Sequence, residues 1–596
     1  MCGIIGVIAN QGAVDKALGG LKSLEYRGYD SAGIAFSNHE KLEVIKSVGN
    51  IDSLIKKVDN TLATATREIS KFAIGHTRWA THGCVNEINA HPHLSNNGNF
   101  AVVHNGIIEN YAQIREFLTN HGFHMKSETD TEVIPNLIQF YATQHNQEFV
   151  NTVKKAAQHL EGSYAILVTQ ANMPTTIVAA RKGRQPLVIG TTQKQVFIAS
   201  DILTTRIGAK ILYPLEDGEI ALINPEKLLF SKIDSDEIVS KSPIRKASKT
   251  IQHTKEPFST YMEKEINQIP YVIRKILKKK KQISRACRTL YPRFKESTTI
   301  HMIGCGTAYH AGKMMGALLQ KHVRLNTITY VASEFPSASP LLCRNDIGIV
   351  ISQSGETADT LLALQHLKMH GIYTIGICNE MESSIARYVD TVLPIHAGTE
   401  KAVASTKAYV AQVLVSMILV DTLYKEKFGK TLIKACEFES LPNHAEEIIT
   451  ASPYVKMLAT QNKDIGLIFI LGKSEDYVSA LEGALKIKEI TYKPSFGLPS
   501  GELKHGTLSL VDNNTLTIML NTHTDKQITS KINNAKNEVE ARGSKIWDTT
   551  AFFPSNSIVS HAITTMPLQL FGLYLSQELG NNPDQPRNLA KSVTVE

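Results

Sequence analysis

The sequence predicts an α+β domain followed by two copies of an α/β unit built on a parallel sheet. The chain has 596 residues, well beyond the roughly 250 to 300 at which one hydrophobic core stops growing, so several domains are expected. Up to about residue 235, short β-branched runs are broken by Gly and Asn. Beyond about residue 257, apolar strands alternate with amphipathic helices, the order typical of βαβ units.

The part of the chain before the change of pattern has the features of antiparallel sheets with intervening helices. Helical stretches lie near Val14–Leu24 and Glu132–Tyr141. Strands are predicted over five runs: Gly3–Ala9, Phe72–His76, Phe100–His104, Ala165–Thr169 and Val196–Ala199. The segment 236–256 is polar, with Lys, Ser and Asp and few apolar positions, and is predicted to be a linker.

The second part of the chain repeats itself. Gly304 and Gly472 each end an apolar strand, and Tyr309 and Tyr477 each follow at the fifth position, so both pairs share one sequence offset, 472 − 304 = 168. At the same offset, later strands correspond: Ile347–Ser352 with Thr515–Leu520, and Tyr373–Cys378 with Ser544–Trp547 in part. A solenoid has a period of roughly 20 to 50 residues, so this larger offset indicates two copies of one α/β unit.

The composition is that of an ordinary globular protein, with 42% hydrophobic and 20% charged residues. The net charge is 64 − 56 = +8, and much of the excess lies in Lys241–Lys255 and Arg274–Lys281. These runs are compatible with a nucleic-acid patch, but a solvated linker and helix end explain them better. No aromatic residues interleave the lysine run at 278–281, so base stacking is not expected.

Seven scattered cysteines without a CxxC pair favour a reducing, cytoplasmic compartment. The longest apolar stretch, Ala408–Val420, has about 13 residues, fewer than the ~20 that a membrane span needs. We predict a buried helix there and no membrane association. The N-terminus lacks the basic start and apolar core of a signal peptide.

Cys2 is a candidate nucleophile because it follows the initiator Met. Its small side chain usually permits Met removal, which leaves a thiol and a free α-amine on one residue. An α-amine has a pKa near ~8 and serves as general base for its own thiol. Taken alone, Cys2 is better explained as a buried strand cysteine, and only its neighbours change that interpretation.

Three further segments, rich in Gly and Asn, have the composition of a substrate pocket rather than of a core: Tyr26–Gly33, Gly75–Gly83 and His104–Asn110. Together with Cys2-Gly3-Ile4 and Ser127–Glu132 they resemble the glutamine amidotransferase domain of the N-terminal nucleophile (Ntn) hydrolase class. The resemblance implies a four-layer αββα fold in which Cys2 attacks the glutamine side-chain amide. A γ-glutamyl thioester forms and ammonia is released.

The same resemblance assigns roles to individual residues of the glutamine pocket. The Asn105 side chain and the Gly106 N–H would form the oxyanion hole. Arg78 would bind the glutamine α-carboxylate and Asp130 the α-ammonium. Three more residues would complete the pocket: Trp79, Thr81 and His82.

Histidines near Cys2 allow two other interpretations. His104 or His76 would make a Cys/His dyad, but the free amine already supplies a base. Metal binding by His82, His91 and His93 is disfavoured because their spacing fits no zinc pattern. We predict that these histidines pack structurally and that the chain holds no metal.

A second candidate site follows the strand Ile347–Ile351. Residues 352–357, Ser-Gln-Ser-Gly-Glu-Thr, precede a predicted helix, Ala358–Met369. Hydroxyls and N–H groups at the start of a helix favour phosphate, although such a turn is more often a simple helix cap. Cys305-Gly306-Thr307 forms a second such turn, and no GxxxxGK[ST] loop for nucleoside triphosphates is present.

These two turns resemble those of the sugar isomerase (SIS) domain. An N-terminal glutaminase followed by tandem SIS domains resembles the family of isomerizing glutamine:fructose-6-phosphate aminotransferases. The match extends over Ser333–Phe335, Ala404–Ala408, Leu481–Lys486, Lys488–Ile490, Gly501–Gly506 and Asp584–Glu596. The implied domains are a glutaminase at 2–235, the linker at 236–256, SIS domains at 257–425 and 426–585, and a tail at 586–596.

The resemblance implies conversion of L-glutamine and fructose 6-phosphate to glucosamine 6-phosphate and glutamate, the first step toward UDP-N-acetylglucosamine, without a cofactor. Lys591 would form a Schiff base with the ketose, His505 would open the sugar ring, and Glu489 would move the proton between C1 and C2. Lys486 would hold the carboxylate of Glu489 or an enolate oxygen. The sugar phosphate would be bound by Thr307, Ser352, Gln353, Ser354, Thr357, Val403 and Ser405.

The family also implies an assembly. Ammonia would pass through an internal channel gated by Trp79 and walled by the C-terminal tail. The chain would be a homodimer, with His505 offered across the subunit interface.

Two departures from the family leave the sugar open. Ala308 stands where the family usually has Ser, and Lys493–Ser500 replaces a stretch that usually reads close to IHAEAYAA. A paralogue acting on another ketose phosphate is one alternative, and a phosphosugar sensor with an idle glutaminase is another. Lys591, His505 and Glu489 favour an enzyme, and the signatures of asparagine synthetases and phosphoribosyl amidotransferases are missing from the sequence.

Overall fold

The computed structural model describes residues 2–25, 28–38, 41–79, 82–144, 148–201, 209, 211–245, 255–338, 340–523, 525–553 and 557–593. The chain divides into two compact units. The first comprises Met1–His253 and Ser592–Glu596, and the second comprises Thr254–Lys591.

The first unit contains two antiparallel sheets. Its strands are β1 Gly3–Ala9, β2 Ser31–Asn38, β3 Lys41–Val48, β4 Phe72–Arg78, β5 His93–Leu94, β6 Phe100–Ile108, β7 Gly162–Gln170, β8 Ile177–Lys182, β9 Val188–Thr191, β10 Gln195–Ala199, β11 Ile211–Pro214, β12 Glu219–Ile223, β13 Leu228–Lys232 and β14 Ile244–Arg245. One sheet has the order β14-β11-β9-β10-β1-β4-β2-β3 and the other β13-β12-β8-β7-β6-β5. All five predicted strands are confirmed, with small differences at their ends.

Helices cover the outer faces of both sheets in this unit. They are Ala13–Leu24, Ile51–Thr61, Thr64–Ile69, Tyr111–Asn120, Val133–Gln144 and Phe149–Gln158. Ile4 and Ile74 of one sheet pack with Val103 and Leu167 of the other in a core between the sheets. Separate cores lie beneath the helices on either side. The resulting order of helix, sheet, sheet and helix is the four-layer αββα arrangement that the sequence predicts.

The second unit contains two parallel sheets. Its strands are β15 Ile300–Gly304, β16 Thr327–Val331, β17 Ile347–Ser352, β18 Tyr373–Cys378, β19 Thr391–Pro394, β20 Leu467–Gly472, β21 Ser495–Pro499, β22 Thr515–Met519 and β23 Lys545–Asp548. The sheet orders are β16-β15-β17-β18-β19 and β21-β20-β22-β23. The two sheets thus share the order of their first four strands, and the predicted duplication of an α/β unit is confirmed.

Helices connect and cover the strands of the second unit. They are Tyr261–Asn267, Ile269–Lys278, Lys280–Glu296, Thr307–Leu318, Ala358–Met369, Ser384–Tyr388, Lys407–Phe428, Ala435–Thr450, Ser452–Gln461, Glu475–Thr491, Lys526–Glu540 and Met566–Glu578. The helix predicted over Ala358–Met369 has those bounds in the structure. The lysine run at 278–281 joins the ends of two successive helices, as expected of a solvated helix end.

The apolar stretch at 408–420 lies in a longer helix than the sequence predicts. Lys407–Phe428 has 22 residues, and its apolar window is 94% buried within the protein. A second apolar segment, Ile558–Glu578, is 89% buried. Both segments are long and apolar enough to cross a membrane, but such burial is what core helices of a globular protein show. The burial predicted for residues 408–420 is confirmed.

The predicted domain boundaries stay predictions. The proposed linker at 236–256 includes β14, which pairs with β11. Its residues 246–254 lie outside the described residues.

Candidate functional site

Cys2 lies just before β1, at the edge where β1 pairs with β4 through Gly3 and Thr77. This register brings Cys2 to the end of β4, where the Trp79 N–H donates to Cys2 Sγ at 3.3 Å. Burial raises the pKa of the Cys2 thiol, while the Trp79 hydrogen bond and the Arg78 charge oppose this increase. The thiol therefore needs a nearby base to become a nucleophile near neutral pH.

Asn105 and Gly106 lie on β6, in the other sheet of the same unit. Asn105 Nδ2 donates to the carbonyl oxygen of Cys2 at 3.0 Å. Gly106 has φ 125°, and a Cβ there would lie 2.0 Å from the Ser163 carbonyl oxygen on the neighbouring β7. Only glycine fits this backbone, so the Gly106 N–H can occupy its position only because glycine has no side chain.

Arg78 is the last residue of β4 and is almost fully buried. Its guanidinium donates to the carbonyl oxygens of His82, Gly83 and Cys84. Burial lowers the pKa of Arg78, although the nearby acidic groups oppose the decrease. The loop after β4 therefore holds the guanidinium in a fixed position at the edge of the pocket.

Asp130 is also buried, and its Oδ2 accepts from the Ile108 N–H at 2.9 Å. The ring of Trp79 meets Tyr29 edge to face at 5.6 Å, and the ring of His82 meets Tyr111 at 5.8 Å. Thr81, the remaining predicted glutamine-binding residue, lies outside the described residues.

One pocket brings most of these groups together. It is lined by Cys2, Arg78, Trp79, His82, His91, His104, Gly106, Thr129, Asp130 and Thr131. A thiol, a cation, an anion and a strand N–H thus converge at one place, which is the set that an α-amino acid with a side-chain amide requires. Their roles toward glutamine remain predictions.

The nearby histidines form a buried cluster. His76 and His91 stack at 4.1 Å between ring centroids, and His91 contacts His93 and His104. The ring of His104 bonds to Thr131 at 2.8 Å. Burial lowers the pKa of all four rings, so they stay neutral. Among the described residues, no group of three or more His, Cys, Asp or Glu side chains is arranged to hold a metal ion.

In the second unit, the turn at 352–357 joins β17 to the helix Ala358–Met369. Ser352 Oγ accepts from the Gly355 N–H at 2.9 Å and bonds to Thr357 Oγ1 at 2.9 Å. Ser354 Oγ accepts from the Glu356 N–H at 3.1 Å. Gln353, Ser354 and Thr357 are each partly exposed, so their polar groups are accessible to an anion.

Glu400 is the centre of a buried charge cluster that the sequence analysis missed. Its Oε2 accepts from Lys591 Nζ at 2.5 Å and from Ser405 Oγ at 2.8 Å, and its Oε1 accepts from the Thr406 and Ala408 N–H groups. Burial opposes ionisation, but Lys591 and these hydrogen bonds outweigh it and lower the pKa of Glu400 to about 2. These contacts therefore favour the carboxylate form of Glu400.

A second buried carboxyl group, Glu265, lies behind this loop. Its Oε1 accepts from the Lys401 N–H at 2.5 Å, and the adjacent Val403 N–H donates to the Asp584 carbonyl oxygen. Burial, together with the negative charge of Glu400, raises the pKa of Glu265 to about 8. Two carboxyl groups with opposite pKa shifts thus flank the loop that carries Val403 and Ser405.

The helix Glu475–Thr491 carries the predicted proton-transfer residues. Lys486 Nζ lies 2.5 Å from Glu489 Oε2 and 3.7 Å from Glu482 Oε1. Glu482, which the sequence analysis also missed, accepts from Thr307 Oγ1 at 3.0 Å. Burial raises the pKa of Glu489, while Lys486 and Lys591 oppose the increase.

The charged groups of this unit therefore form one connected set. Thr307 is joined through Glu482 to Lys486 and Glu489, and Lys591 is near enough to affect the pKa of Glu489. His505 does not belong to this connected set. Its side chain is exposed, and its backbone N–H donates to the Glu502 carbonyl oxygen. The replaced segment Lys493–Ser500 contains β21, which pairs in parallel with β20, and Ala308 is the second residue of the helix Thr307–Leu318.

The second repeat has a carboxylate at the position equivalent to Ala308. The sequence offset of the duplication, 476 − 308 = 168, pairs Asp476 with Ala308. In the next strand the registers Ile300↔Ile347 and Ile468↔Leu516 give an offset of 516 − 347 = 169, so Thr522 corresponds to Gln353 in the turn of the first repeat. Asp476 is fully buried; its Oδ1 accepts from Thr522 Oγ1 and its Oδ2 from the Thr522 N–H, both at 2.8 Å.

Comparisons with known proteins agree with this architecture. Residues 76–205 match a glutamine amidotransferase domain family, and residues 293–421 and 463–565 match the SIS domain family. Three curated relatives are named glutamine–fructose-6-phosphate aminotransferase (isomerizing). They come from Caldanaerobacter subterraneus subsp. tengcongensis, Clostridium acetobutylicum and Clostridium tetani, and are 38%, 37% and 37% identical to the chain, with 100% of both chains covered in each case. The chain therefore belongs to the glutamine–fructose-6-phosphate aminotransferase (isomerizing) family.

Proposed function

We propose that the chain converts L-glutamine and D-fructose 6-phosphate to D-glucosamine 6-phosphate and L-glutamate. The observation that carries the proposal is the pocket of the first unit, where Cys2, Arg78, Gly106 and Asp130 converge. The acceptor in this proposal, fructose 6-phosphate, is taken from the curated relatives, which are named for it. The charge cluster around Lys591 in the second unit supports an amine-forming reaction at a ketose carbonyl.

In the glutaminase half, the α-amine of Cys2 takes the thiol proton, and the sulfur attacks the side-chain amide carbon of glutamine. The negative charge on the amide oxygen is stabilised by Asn105 Nδ2 and the Gly106 N–H. The amide nitrogen leaves as ammonia, and water then cleaves the thioester to release glutamate. Arg78 and Asp130 hold the α-carboxylate and α-ammonium, with Trp79, Thr81 and His82 as the remaining pocket residues.

In the sugar half, the phosphate is bound by the turn at 352–357 together with Thr307, Val403 and Ser405. Lys591, as a neutral amine, forms a Schiff base at C2 with loss of water, and ammonia from glutamine displaces it. Glu489 takes a proton from C1 and returns it to C2, which converts the ketose skeleton to the aldose. Its raised pKa suits this exchange, because a proton carrier is most effective when its pKa lies near the working pH.

Ring opening is assigned to His505, which we place in a homodimer. The side chain is exposed within one chain, and the large apolar residues Phe496 and Leu510 near it in sequence are 43% and 56% exposed. A second copy that covers this surface would bring His505 to the partner's sugar site. We also propose that the enzyme acts in the cytoplasm, where free thiols such as Cys2 stay reduced.

The direct test is end-point detection of glucosamine 6-phosphate after the purified protein is mixed with L-glutamine and fructose 6-phosphate. A reaction with glutamine alone is the control for uncoupled hydrolysis. Glutamate released without any amino sugar would contradict the proposed acceptor. A panel of other ketose phosphates then tests whether Ala308 and the segment Lys493–Ser500 have changed the preferred sugar.

A further inference from the structure

We propose that His76 is a positioning residue that orients the Asn105 side-chain amide, so that its NH₂ group faces Cys2 and the forming oxyanion. The inference rests on the proposed glutamine hydrolysis and extends it to a residue outside the glutamine pocket. His76 lies on β4 and Asn105 on β6, so the contact joins the two sheets of the first unit.

The direction of each hydrogen bond follows from the acceptors around His76. Its Nε2 lies 2.9 Å from the His104 carbonyl oxygen and 3.1 Å from the Asn105 Oδ1 position. A carbonyl oxygen accepts but never donates, so Nε2 must carry the hydrogen. The Asn105 atom beside this N–H must in turn be its acceptor, the amide oxygen.

The other end of the amide agrees with this assignment. Asn105 Nδ2 lies 3.0 Å from the Cys2 carbonyl oxygen, where only a donor makes a hydrogen bond. The reversed amide would place two donors together at His76 and two acceptors together at Cys2. Both ends therefore select the orientation that presents N–H groups toward the nucleophile.

The environment of His76 keeps its proton and its ring in place. The side chain is fully buried, and burial, with a contribution from His104, lowers its pKa to about 3, so the ring is neutral at working pH. Within the described residues Nδ1 has no hydrogen-bond partner, so a hydrogen on that atom would be unsatisfied. The ring also stacks on His91 at 4.1 Å with an angle of 17° between planes, which limits its rotation.

The first test compares two substitutions at His76. His76→Leu removes the N–H donor, and we expect kcat for glutamine hydrolysis to fall by roughly 10-fold to 10²-fold. Complete loss of an oxyanion donor typically costs ~10²-fold to 10³-fold, and the effect of His76 should not exceed that because His76 acts only through Asn105. KM should change little, because Arg78 and Asp130 are unaltered. His76→Gln restores an N–H donor and should recover much of kcat. Alkylation of Cys2 by iodoacetamide needs no oxyanion hole and should keep its wild-type rate in both variants.

The second test asks whether His76 acts through Asn105. In an Asn105→Ala background, His76→Leu should lower kcat by less than about twofold, because the group it orients is already gone. His93→Leu is the matched control: His93 is another buried ring of the cluster, but it bonds to Thr129 at 3.2 Å, so its effect should be independent of Asn105. The thermal unfolding midpoint reports on folding of the first unit, and interconversion of fructose 6-phosphate and glucose 6-phosphate by the second unit should keep its wild-type rate.

The outcomes distinguish failure of the positioning role of His76 from failure of the proposed function. A wild-type kcat in His76→Leu, or full additivity with Asn105→Ala, would overturn the role of His76 while leaving the proposed function intact. If His76→Leu does not fold, the test rests on His76→Gln, which keeps an N–H donor. A kcat loss above about tenfold in this variant, with a normal rate of Cys2 alkylation, would overturn the positioning role of His76. A wild-type protein that hydrolyses no glutamine would contradict the proposed function, and this inference with it.

Discussion

Lys591 Nζ lies 2.5 Å from Glu400 Oε2, and the two side chains are 6% and 0% exposed. The lysine proposed to form the Schiff base is therefore paired with a buried carboxylate. An ammonium ion is not a nucleophile, so Lys591 must lose its proton and leave this ion pair before it attacks the sugar. Glu400 thereby sets the position of the Lys591 amine before the reaction begins.

Replacement of Glu400 by Gln should uncouple the two halves of the reaction. The variant leaves the Lys591 ammonium unpaired in a buried site, and a broken buried pair costs about 3–5 kcal/mol. Displacement of a reacting group by about 1 Å costs roughly 10²-fold in rate, so glucosamine 6-phosphate formation should fall by about that factor. Glutamine hydrolysis, measured as glutamate release, should stay at the wild-type rate.

Ser405→Ala is a comparison for Glu400→Gln, because it removes only a neutral hydrogen bond to the same carboxylate oxygen. Since Ser405 is also a proposed phosphate-binding residue, its KM for fructose 6-phosphate should rise, while kcat should stay well above that of Glu400→Gln. The expected loss is about 1 kcal/mol of stability, with the ion pair intact. Equal rates of amino-sugar formation in Glu400→Gln and the wild type would show that Lys591 needs no anionic partner.

Glu265 predicts a dependence of stability on pH. A carboxyl group has an unfolded pKa near ~4.3, and Glu265 has a folded value of about 8. Between these values the folded state binds the extra proton, so this group contributes a stability that is present at low pH and decreases as the pH rises toward 8. Glu265→Gln should flatten the decrease in thermal midpoint between pH 5 and about 8, since Gln keeps an acceptor for the Lys401 N–H. An unchanged slope would argue against a protonated Glu265.

Cys2→Ala should abolish glutamine hydrolysis and leave phosphosugar isomerisation intact. The thiol is the only proposed nucleophile of the first unit, whereas Glu489 and Lys591 belong to the second. Glutamate release and the interconversion of fructose 6-phosphate and glucose 6-phosphate are measured on the same preparation. Loss of both activities in a folded protein would count against separate sites.

Gly106→Ala should also abolish glutamine hydrolysis, by a different route. A methyl group there would lie 2.0 Å from the Ser163 carbonyl oxygen, so β6 must move away from β7 and displace the oxyanion N–H. Gly98→Ala is the control: Gly98 has a positive φ of 73°, but a methyl group meets no atom within 4 Å. Both variants have backbone strain of about 1–3 kcal/mol, and only the first has the clash. Similar activities in the two variants would contradict this account.

Complementation between inactive variants tests whether His505 acts across a dimer interface. His505→Ala and Lys591→Ala should each lose amino-sugar formation. In a mixed dimer one site receives both wild-type side chains, so unfolding and refolding the two variants together should restore up to about a quarter of wild-type activity. Activity that stays absent after mixing, in a preparation that sedimentation shows to be dimeric, would place His505 in its own chain's site.

Local sequence patterns predicted the strands well and the buried charges poorly. Tyr373–Cys378 and Ile347–Ser352 have their predicted bounds because continuous apolar runs ending at polar turns are typical of buried parallel strands. Glu400 gave no such signal, because its partner Lys591 is 191 residues away. His76 was recognised in its motif, but its contact with Asn105 depends on the packing of one sheet on another. The side chain of His505 reaches its proposed site only in a homodimer, and local patterns along one chain give no information about contacts between two chains.

The buried Asp476 makes the two halves of the duplicated unit unequal. In the first repeat, Gln353, Ser354 and Thr357 of the turn are partly exposed and are the proposed ligands of an anion, whereas in the second repeat both donors of Thr522 already bond to the buried Asp476. A phosphate that approached the second position would meet a fixed negative charge and no free donors from Thr522. The two repeats are therefore alike in fold but unlike in charge, and we expect only the first turn to bind a sugar phosphate, which gives one sugar phosphate per chain.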